Sequence, residues 1–156
     1  MDGLKDLLTT SDGRINRQKW WIGTLAIVVI SILASIVISI ISLGNGTISA
    51  WLAVLLNLVM IYPTYCIGIK RRHDRDNDGK DLIALIAISL VLNLLQAVGV
   101  GVTVTGAGAE TVTQTATWLA VIQFAVLIFV IYMIVQLGVL KGTDGPNTYG
   151  PDPLNS

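Results

Sequence analysis

The residues best suited to chemistry lie together in one charged stretch, residues 70–81, between two long apolar segments. The stretch contains five of the ten Lys and Arg residues, four of the ten carboxylates and the single histidine, His73. His73 beside Asp74 could in principle carry out acid–base catalysis, because imidazole titrates near neutral pH. A lone histidine among arginines is more often a structural donor, and the sequence contains no catalytic triad spacing, nucleotide-binding loop or zinc motif. We therefore predict no catalytic residue and no enzyme.

The same stretch contains half of a calcium-binding pattern, D-x-D-x-D-G, which begins at Asp74. An EF-hand loop also needs an oxygen ligand at its seventh position and a bidentate glutamate at its twelfth. Counted from Asp74, these positions hold Lys80 and Leu85, and a leucine side chain cannot bind a cation. We interpret the carboxylates as partners of neighbouring basic residues and as helix caps, and we predict no metal and no cofactor.

Four long apolar segments must position this stretch, and none of them contains Asp, Glu, Lys, Arg or His. They cover residues 20–43, 49–69, 82–102 and 118–140. Charged residues make up 13% of the chain, about half the share in a soluble domain. At about 1.5 Å per residue, each segment can cross a hydrocarbon core of about 30 Å. The sequence therefore predicts an all-α polytopic membrane protein, a single domain (1–156) of four transmembrane helices in a small antiparallel bundle.

The remaining segments give weaker signals. Leu4, Leu7 and Leu8 have the spacing of a short amphipathic helix on the membrane surface, and a frayed terminus is the alternative. Residues 103–117 are rich in Gly, Thr and Ala, and we expect a loose outer loop there. The Gly- and Pro-rich tail, residues 141–156, predicts either an ordered turn region or a flexible end.

The positions of the basic residues predict the orientation of the bundle. All ten Lys and Arg residues lie in 1–19, 70–81 or 141–156, and the other two connections contain none. Four spans place these three segments on one side of the membrane, and positive charge marks the cytoplasmic side. We therefore predict that both termini and the loop at 70–81 are cytoplasmic.

Four of the amide side chains in the apolar segments are predicted to lie nearer the outer half of the bilayer. They are Asn57, Asn93, Gln96 and Gln123. We interpret them as packing residues that hydrogen-bond between helices, a contact worth about 0.6–2 kcal/mol inside a membrane. A polar substrate pathway is the alternative. Proton relays and most ion-coupled transporters need ionisable groups within their spans, and these spans have none.

Three separated motifs resemble one protein family. Residues 13–23 (GRINRQKWWIG) are similar to its entry into the first helix, and residues 70–75 (KRRHDR) to its central basic-His-Asp motif. Residues 141–153 (KGTDGPNTYGPDP) are similar to its C-terminal tail. The family is the bacterial inner-membrane proteins catalogued as domain of unknown function 805. The resemblance implies a small multi-pass protein of the bacterial cytoplasmic (inner) membrane, and it implies no particular reaction.

Because the three motifs share one predicted side of the membrane, we expect them to form one cytoplasmic interaction surface. Its candidate residues are Arg14, Arg17, Arg71, Arg72, His73, Asp74, Asn147 and Tyr149. We predict that this mixed basic and acidic surface meets a protein partner or anionic lipid headgroups, which attract cations by about 1 kcal/mol per charge. The alternative function is a subunit of a small transporter or channel working as a homo-oligomer. No nucleic-acid partner is predicted.

Overall fold

The computed structural model describes residues 3–105 and 112–154. Its helices are α1 (Leu4–Thr9), α2 (Arg17–Ile41), α3 (Gly46–His73), α4 (Lys80–Ala97) and α5 (Thr117–Ile134), and a π-helix (Val135–Val139) continues α5. Two strands, β1 (Val102–Thr105) and β2 (Val112–Thr115), pair in antiparallel register. Helices therefore dominate the described part of the chain.

Helices α2, α3, α4 and α5 are each long and apolar enough to cross a membrane, α5 together with its π-helix. Large side chains on these helices point outward, and Leu25, Val59 and Phe124 are each more than half exposed. Water would penalise such exposure, whereas the hydrocarbon of a bilayer does not. The predicted class, an all-α protein with four membrane-spanning helices, is confirmed.

Successive helices pack side by side, and the bundle closes at one end only. There the π-helix returns to contact α2 and α3. The main buried apolar cluster lies at this same end, formed by Leu7, Ile15, Trp20, Ile67, Ile69, Leu82, Met133 and Leu137. We call this end, with residues 3–16, 70–81 and 141–154, the charged end of the bundle.

Two helix boundaries differ from the sequence-based prediction by four residues or more. α3 continues to His73, so residues 70–73 are helical rather than part of a loop. The basic side chains there stabilise the last helical turn, because cations offset the negative end of the helix dipole. α4 ends at Ala97 rather than at residue 102, because Gly99 and Gly101 adopt φ angles of 78° and 75°, which a right-handed helix cannot use.

The predicted loose loop at 103–117 is wrong where the structure describes it. Residues 102–105 and 112–115 form a β-hairpin in which Val102 faces Thr115, consistent with the preference of Val and Thr for extended backbone. Residues 106–111 lie outside the described residues. At the N-terminus, residues 4–9 form the short helix rather than a frayed end. The tail up to residue 154 is an ordered turn region, as one of the two alternatives proposed.

Gly138 allows the π-helix to pack against the start of α2. A Cβ atom added at Gly138 would lie 2.7 Å from Cζ3 of Trp20 and 2.7 Å from Cζ2 of Trp21. We expect Gly138→Ala to lower the free energy of unfolding by about 1–3 kcal/mol, because the two rings must move apart. Gly46→Ala is the matched control, since nothing lies within 4 Å of its added Cβ.

The measurement uses the single cysteine, Cys66, which is fully buried. Its reaction with a fluorogenic maleimide during heating in detergent reports unfolding. We expect a lower midpoint for Gly138→Ala than for Gly46→Ala. Equal midpoints would contradict the close packing described above.

Candidate functional site

The charged end is organised around one carboxylate, that of Asp74, which directly follows α3. Nη2 and Nε of Arg14 donate to Oδ1 of Asp74 at 3.0 and 3.1 Å, and Nη1 of Arg71 donates to Oδ2. The side chains of Arg14 and Arg71 are 1% exposed and that of Asp74 is 5% exposed. The three residues form a buried ion-pair triad in which one carboxylate lies between two guanidinium groups.

Arg14 also binds the C-terminal tail. Its guanidinium donates to the carbonyl oxygens of Thr143 and Gly145, both at 2.8 Å, and to that of Gly150 at 3.2 Å. The backbone N–H of Thr143 donates in turn to the carbonyl of Asp74 at 2.8 Å. Because the planar guanidinium has five N–H donors, one arginine can hold the tail against α3.

Arg71 donates hydrogen bonds to carbonyl groups at the end of α5 and its π-helix. The last carbonyls of a helix have no partner within it, and α5 and its π-helix carry no basic residue in the last turn. Nε of Arg71 donates to the carbonyl of Leu137 at 2.7 Å, and Nη2 donates to that of Leu140. The neighbouring carbonyls of the π-helix accept hydrogen bonds from side chains of other elements. Arg75 donates to the carbonyl of Gln136, Trp21 to that of Gly138 and Arg17 to that of Val139. Five consecutive carbonyls are thus satisfied from outside the helix.

The other basic residues of the last turn of α3 hold further segments. Nζ of Lys70 donates to the carbonyls of Asp6 and Leu7 at 3.0 and 2.9 Å, and thereby caps α1. Arg72 donates to the carboxylate of Asp81 at the start of α4 and to Oδ1 of Asn77. Lys70, Arg71 and Arg72 therefore connect α3 to α1, to the end of α5 and to α4, respectively.

His73 is covered by the tail. Its ring stacks on that of Tyr149 with centroids 3.9 Å apart and planes 5° from parallel. Nδ1 of His73 lies 3.3 Å from the carbonyl of Gly13, and Nδ2 of Asn147 donates to the carbonyl of His73 at 2.8 Å. The imidazole is thus engaged on its face and on one nitrogen.

The structure brings most of the predicted site residues together, but it places several of them inside the protein. Arg14, His73, Asp74, Asn147 and Tyr149 surround the docked tail, and Arg71 completes the triad. The side chains of Arg14, Arg71, Arg72 and Asp74 are at most 5% exposed, so they do not form the expected open surface. Arg72 faces α4, and Arg17 lies at the edge with an exposed side chain.

Sequence reasoning missed two residues that complete this end. Gln136 accepts hydrogen bonds from Arg72 and Arg75 through Oε1. At Gly142 a Cβ would lie 2.0 Å from Oδ2 of Asp74, so only glycine allows the tail to pass the triad. One signal could have indicated Gln136. The last helix has no basic residue in its last turn, so its end must contact cations from elsewhere, and Gln136 is a polar side chain there that can accept their hydrogen bonds.

The predicted intramembrane amides divide into two groups. Nδ2 of Asn57 lies 3.5 Å from Oδ1 of Asn93, which is the one bond between helices that these amides make among the described residues. Asn93 and Gln96 donate to carbonyls one turn earlier in their own helix, at 2.8 and 3.3 Å. In the part of the chain that the structure describes, no group hydrogen-bonds to Gln123. Interhelical bonding is therefore limited to Asn57 and Asn93.

The acidic residues of the D-x-D-x-D-G pattern do not converge on one point. Asp74 faces the two arginines, while Oδ2 of Asp78 pairs with Nζ of Lys80 at 2.6 Å. The hydrogen bond from Lys80 holds the pKa of Asp78 below its usual value. Within residues 3–105 and 112–154, no group of three or more His, Cys, Asp or Glu side chains could hold a metal ion.

These features define a class: a multi-pass membrane protein whose charged residues form a buried network at one end of a four-helix bundle. Residues 8–151 match the family described as Protein of unknown function (DUF805). The chain belongs to this family, as its three motifs indicated. No curated protein and no solved structure gives a significant match.

The triad predicts that the effects of substitutions at Asp74 and Arg14 on stability are not additive. Asp74→Asn leaves two buried guanidinium groups without their carboxylate, and we expect a loss of about 3–5 kcal/mol in the free energy of unfolding. Arg14→Gln is destabilising in the wild-type protein. In the Asp74→Asn background it should cost less, because it also removes the repulsion between Arg14 and Arg71.

An exposed pair is the control for this cycle. Nζ of Lys141 lies 2.6 Å from Oδ1 of Asp144, and these side chains are 64% and 79% exposed. Lys141→Gln and Asp144→Asn should change stability by no more than about 1 kcal/mol and should be additive. For both cycles, stability is measured as the midpoint temperature at which Cys66 becomes reactive toward the maleimide. Additive losses at Arg14 and Asp74 would disprove the coupling.

Proposed function

We propose that this protein is a non-enzymatic docking platform in the bacterial cytoplasmic membrane and that a protein partner binds its charged end. The observation that carries the proposal is the buried triad, because it joins three distant segments around Asp74. A surface that is already ordered loses less conformational entropy when a partner binds. A fixed arrangement of the N-terminal segment, the end of α3 and the tail favours recognition.

The contacts of His73 and Asp74 support a non-enzymatic role. Tyr149 covers the imidazole ring, and two arginines occupy the carboxylate. A general base needs a free acceptor within reach of a substrate proton. Both members of the His-Asp pair are instead used to attach the tail.

The charges left on the surface favour a protein partner over a uniformly anionic membrane. Lys80 and Lys141 are exposed, and so are the acidic residues Asp76, Asp78 and Asp144. A patch that alternates in sign is repelled in part by anionic lipid. It can instead match a protein surface with the complementary pattern, which gives specificity and faster association.

The proposed orientation can be measured by cysteine labelling in a Cys66→Ser background. With both termini in the cytoplasm, Gln114→Cys on the β-hairpin should react with a membrane-impermeant maleimide in intact spheroplasts. Asp144→Cys should react only after the membrane is opened. Both positions are exposed, so accessibility within the protein does not explain a difference. The reverse pattern would overturn the orientation.

A partner can be tested by site-specific photocrosslinking in native membranes. A photoreactive residue at Lys80 or Asp144 should give one discrete heteromeric adduct, whereas Val59, exposed on an apolar helix, should not. Rising salt should weaken the adduct, because it screens exposed charges. Tyr149→Leu should reduce the adduct at Asp144 while Cys66 stays protected, because it releases the tail from His73.

Two outcomes would overturn the docking proposal. A ladder at multiples of 16.7 kDa would favour the alternative, an oligomeric transporter or channel. The absence of any adduct at Lys80 and Asp144 would show that no protein contacts the charged end.

A further inference from the structure

A cavity of about 250 Å³ lies at the charged end, between the start of α2 and the tail. It is lined by three basic residues (Arg17, Arg71, Lys141) and by three acidic ones (Asp74, Asp144, Asp152). Sites for drug-sized ligands measure about 300–1,000 Å³, so this cavity suits a smaller polar group.

The guanidinium of Arg71 provides the strongest indication of what this cavity binds. Three of its five N–H groups donate to Asp74, Leu137 and Leu140. The remaining two, one on each Nη, have no acceptor among the residues that the structure describes. A buried donor without an acceptor is costly, and the cost is higher for a charged group. The side chain is 1% exposed and lines the cavity, so an anion there would supply the acceptors.

Arg17 lines the same cavity from the first turn of α2. Its guanidinium makes one hydrogen bond, from Nη1 to the carbonyl of Val139 at 3.0 Å, to the described part of the protein. Asp74 offsets the charge of Arg71 on one side, but Arg17 has no carboxylate partner among the described residues, so an anion between the two guanidinium groups would reduce their mutual repulsion. Phosphate is the anion whose geometry matches paired arginines best.

The position of the cavity indicates a lipid. Arg17 lies one turn before Trp20 and Trp21, and Lys141 lies two residues after the last membrane-spanning helix. Trp21 is half-exposed, and exposed tryptophans at helix ends mark the boundary of the hydrocarbon, where phospholipid phosphates lie. The carboxylates of Asp152 and of Asp144, which already pairs with the ammonium group of Lys141, would repel an additional negative charge on the same cavity but attract a ligand's ammonium group. Backbone N–H groups of Leu154 and Gly145 donate to Asp152 and lower its pKa, so it is ionised near neutral pH.

We infer that this cavity binds the headgroup of an aminophospholipid, with the phosphate between Arg17 and Arg71 and the ammonium group toward Asp144 and Asp152. The inference is independent of a protein partner. The proposed ligand must have both a phosphodiester and a cationic group. A zwitterionic ethanolamine lipid meets this requirement, and an anionic glycerol lipid does not.

Native mass spectrometry of the purified, detergent-solubilised full chain tests the inference. With dioleoylphosphatidylethanolamine added, we expect one lipid retained per chain, at least about five-fold more than with dioleoylphosphatidylglycerol. Arg17→Gln should weaken retention about ten-fold, which corresponds to about 1.4 kcal/mol. Lys80→Gln, the control, removes an exposed charge outside the cavity and should leave retention unchanged. Asp144→Asn should reduce the preference for ethanolamine.

The other outcomes overturn the inference. Equal retention of both lipids, or a preference for the glycerol lipid, would exclude ammonium recognition. Displacement of the lipid by millimolar inorganic phosphate would identify a site for free phosphate. Equal effects of Arg17→Gln and Lys80→Gln would exclude the cavity as the site. Because the assay uses the purified chain, its failure leaves the crosslinking test of the docking platform unaffected, and the reverse also holds.

Discussion

The structure depends on the hydrogen bonds of one buried guanidinium, that of Arg71. Removing such a charge from water costs several kcal/mol unless it is paired and its donors are satisfied. The end of α5 has the opposite need, because its last carbonyls lack donors. Arg71 links these two needs, because three of its five N–H groups donate to Asp74 and to the carbonyls of Leu137 and Leu140. Separation of α3 from α5 would leave unpaired groups on both elements, so the two ends must stay together.

This network supplies the specificity that the apolar helices lack. Within hydrocarbon, apolar side chains gain little by exchanging lipid contacts for contacts with one another. The most apolar part of α2 accordingly buries no residue within the protein, and the contact between Asn57 and Asn93 is long at 3.5 Å. The polar bonds at the charged end therefore act together with the packing of successive helices to arrange the bundle.

The sequence was sufficient for the features that depend on local composition. Charge-free runs such as 20–43 predicted the spans, because transfer to hydrocarbon is decided residue by residue. The partners of Arg14 could not be predicted, since Asp74 is 60 residues away and the tail lies farther still. The helical state of residues 70–73 depends on similarly distant acceptors. The hairpin after α4 involves short Val and Thr runs, which fit a strand or a loop equally well.

The buried network also changes the role of the basic residues once the protein has folded. During insertion all ten basic residues are available to set orientation, because the positive-inside bias acts on the chain before it is packed. After folding, Arg14, Arg71 and Arg72 are enclosed, and their charge is used to hold backbone and carboxylates. The exposed cations, such as Lys80 and Lys141, remain accessible to another molecule in solution. The buried basic residues therefore serve the architecture, and the charges that the architecture leaves exposed are the ones accessible from solution.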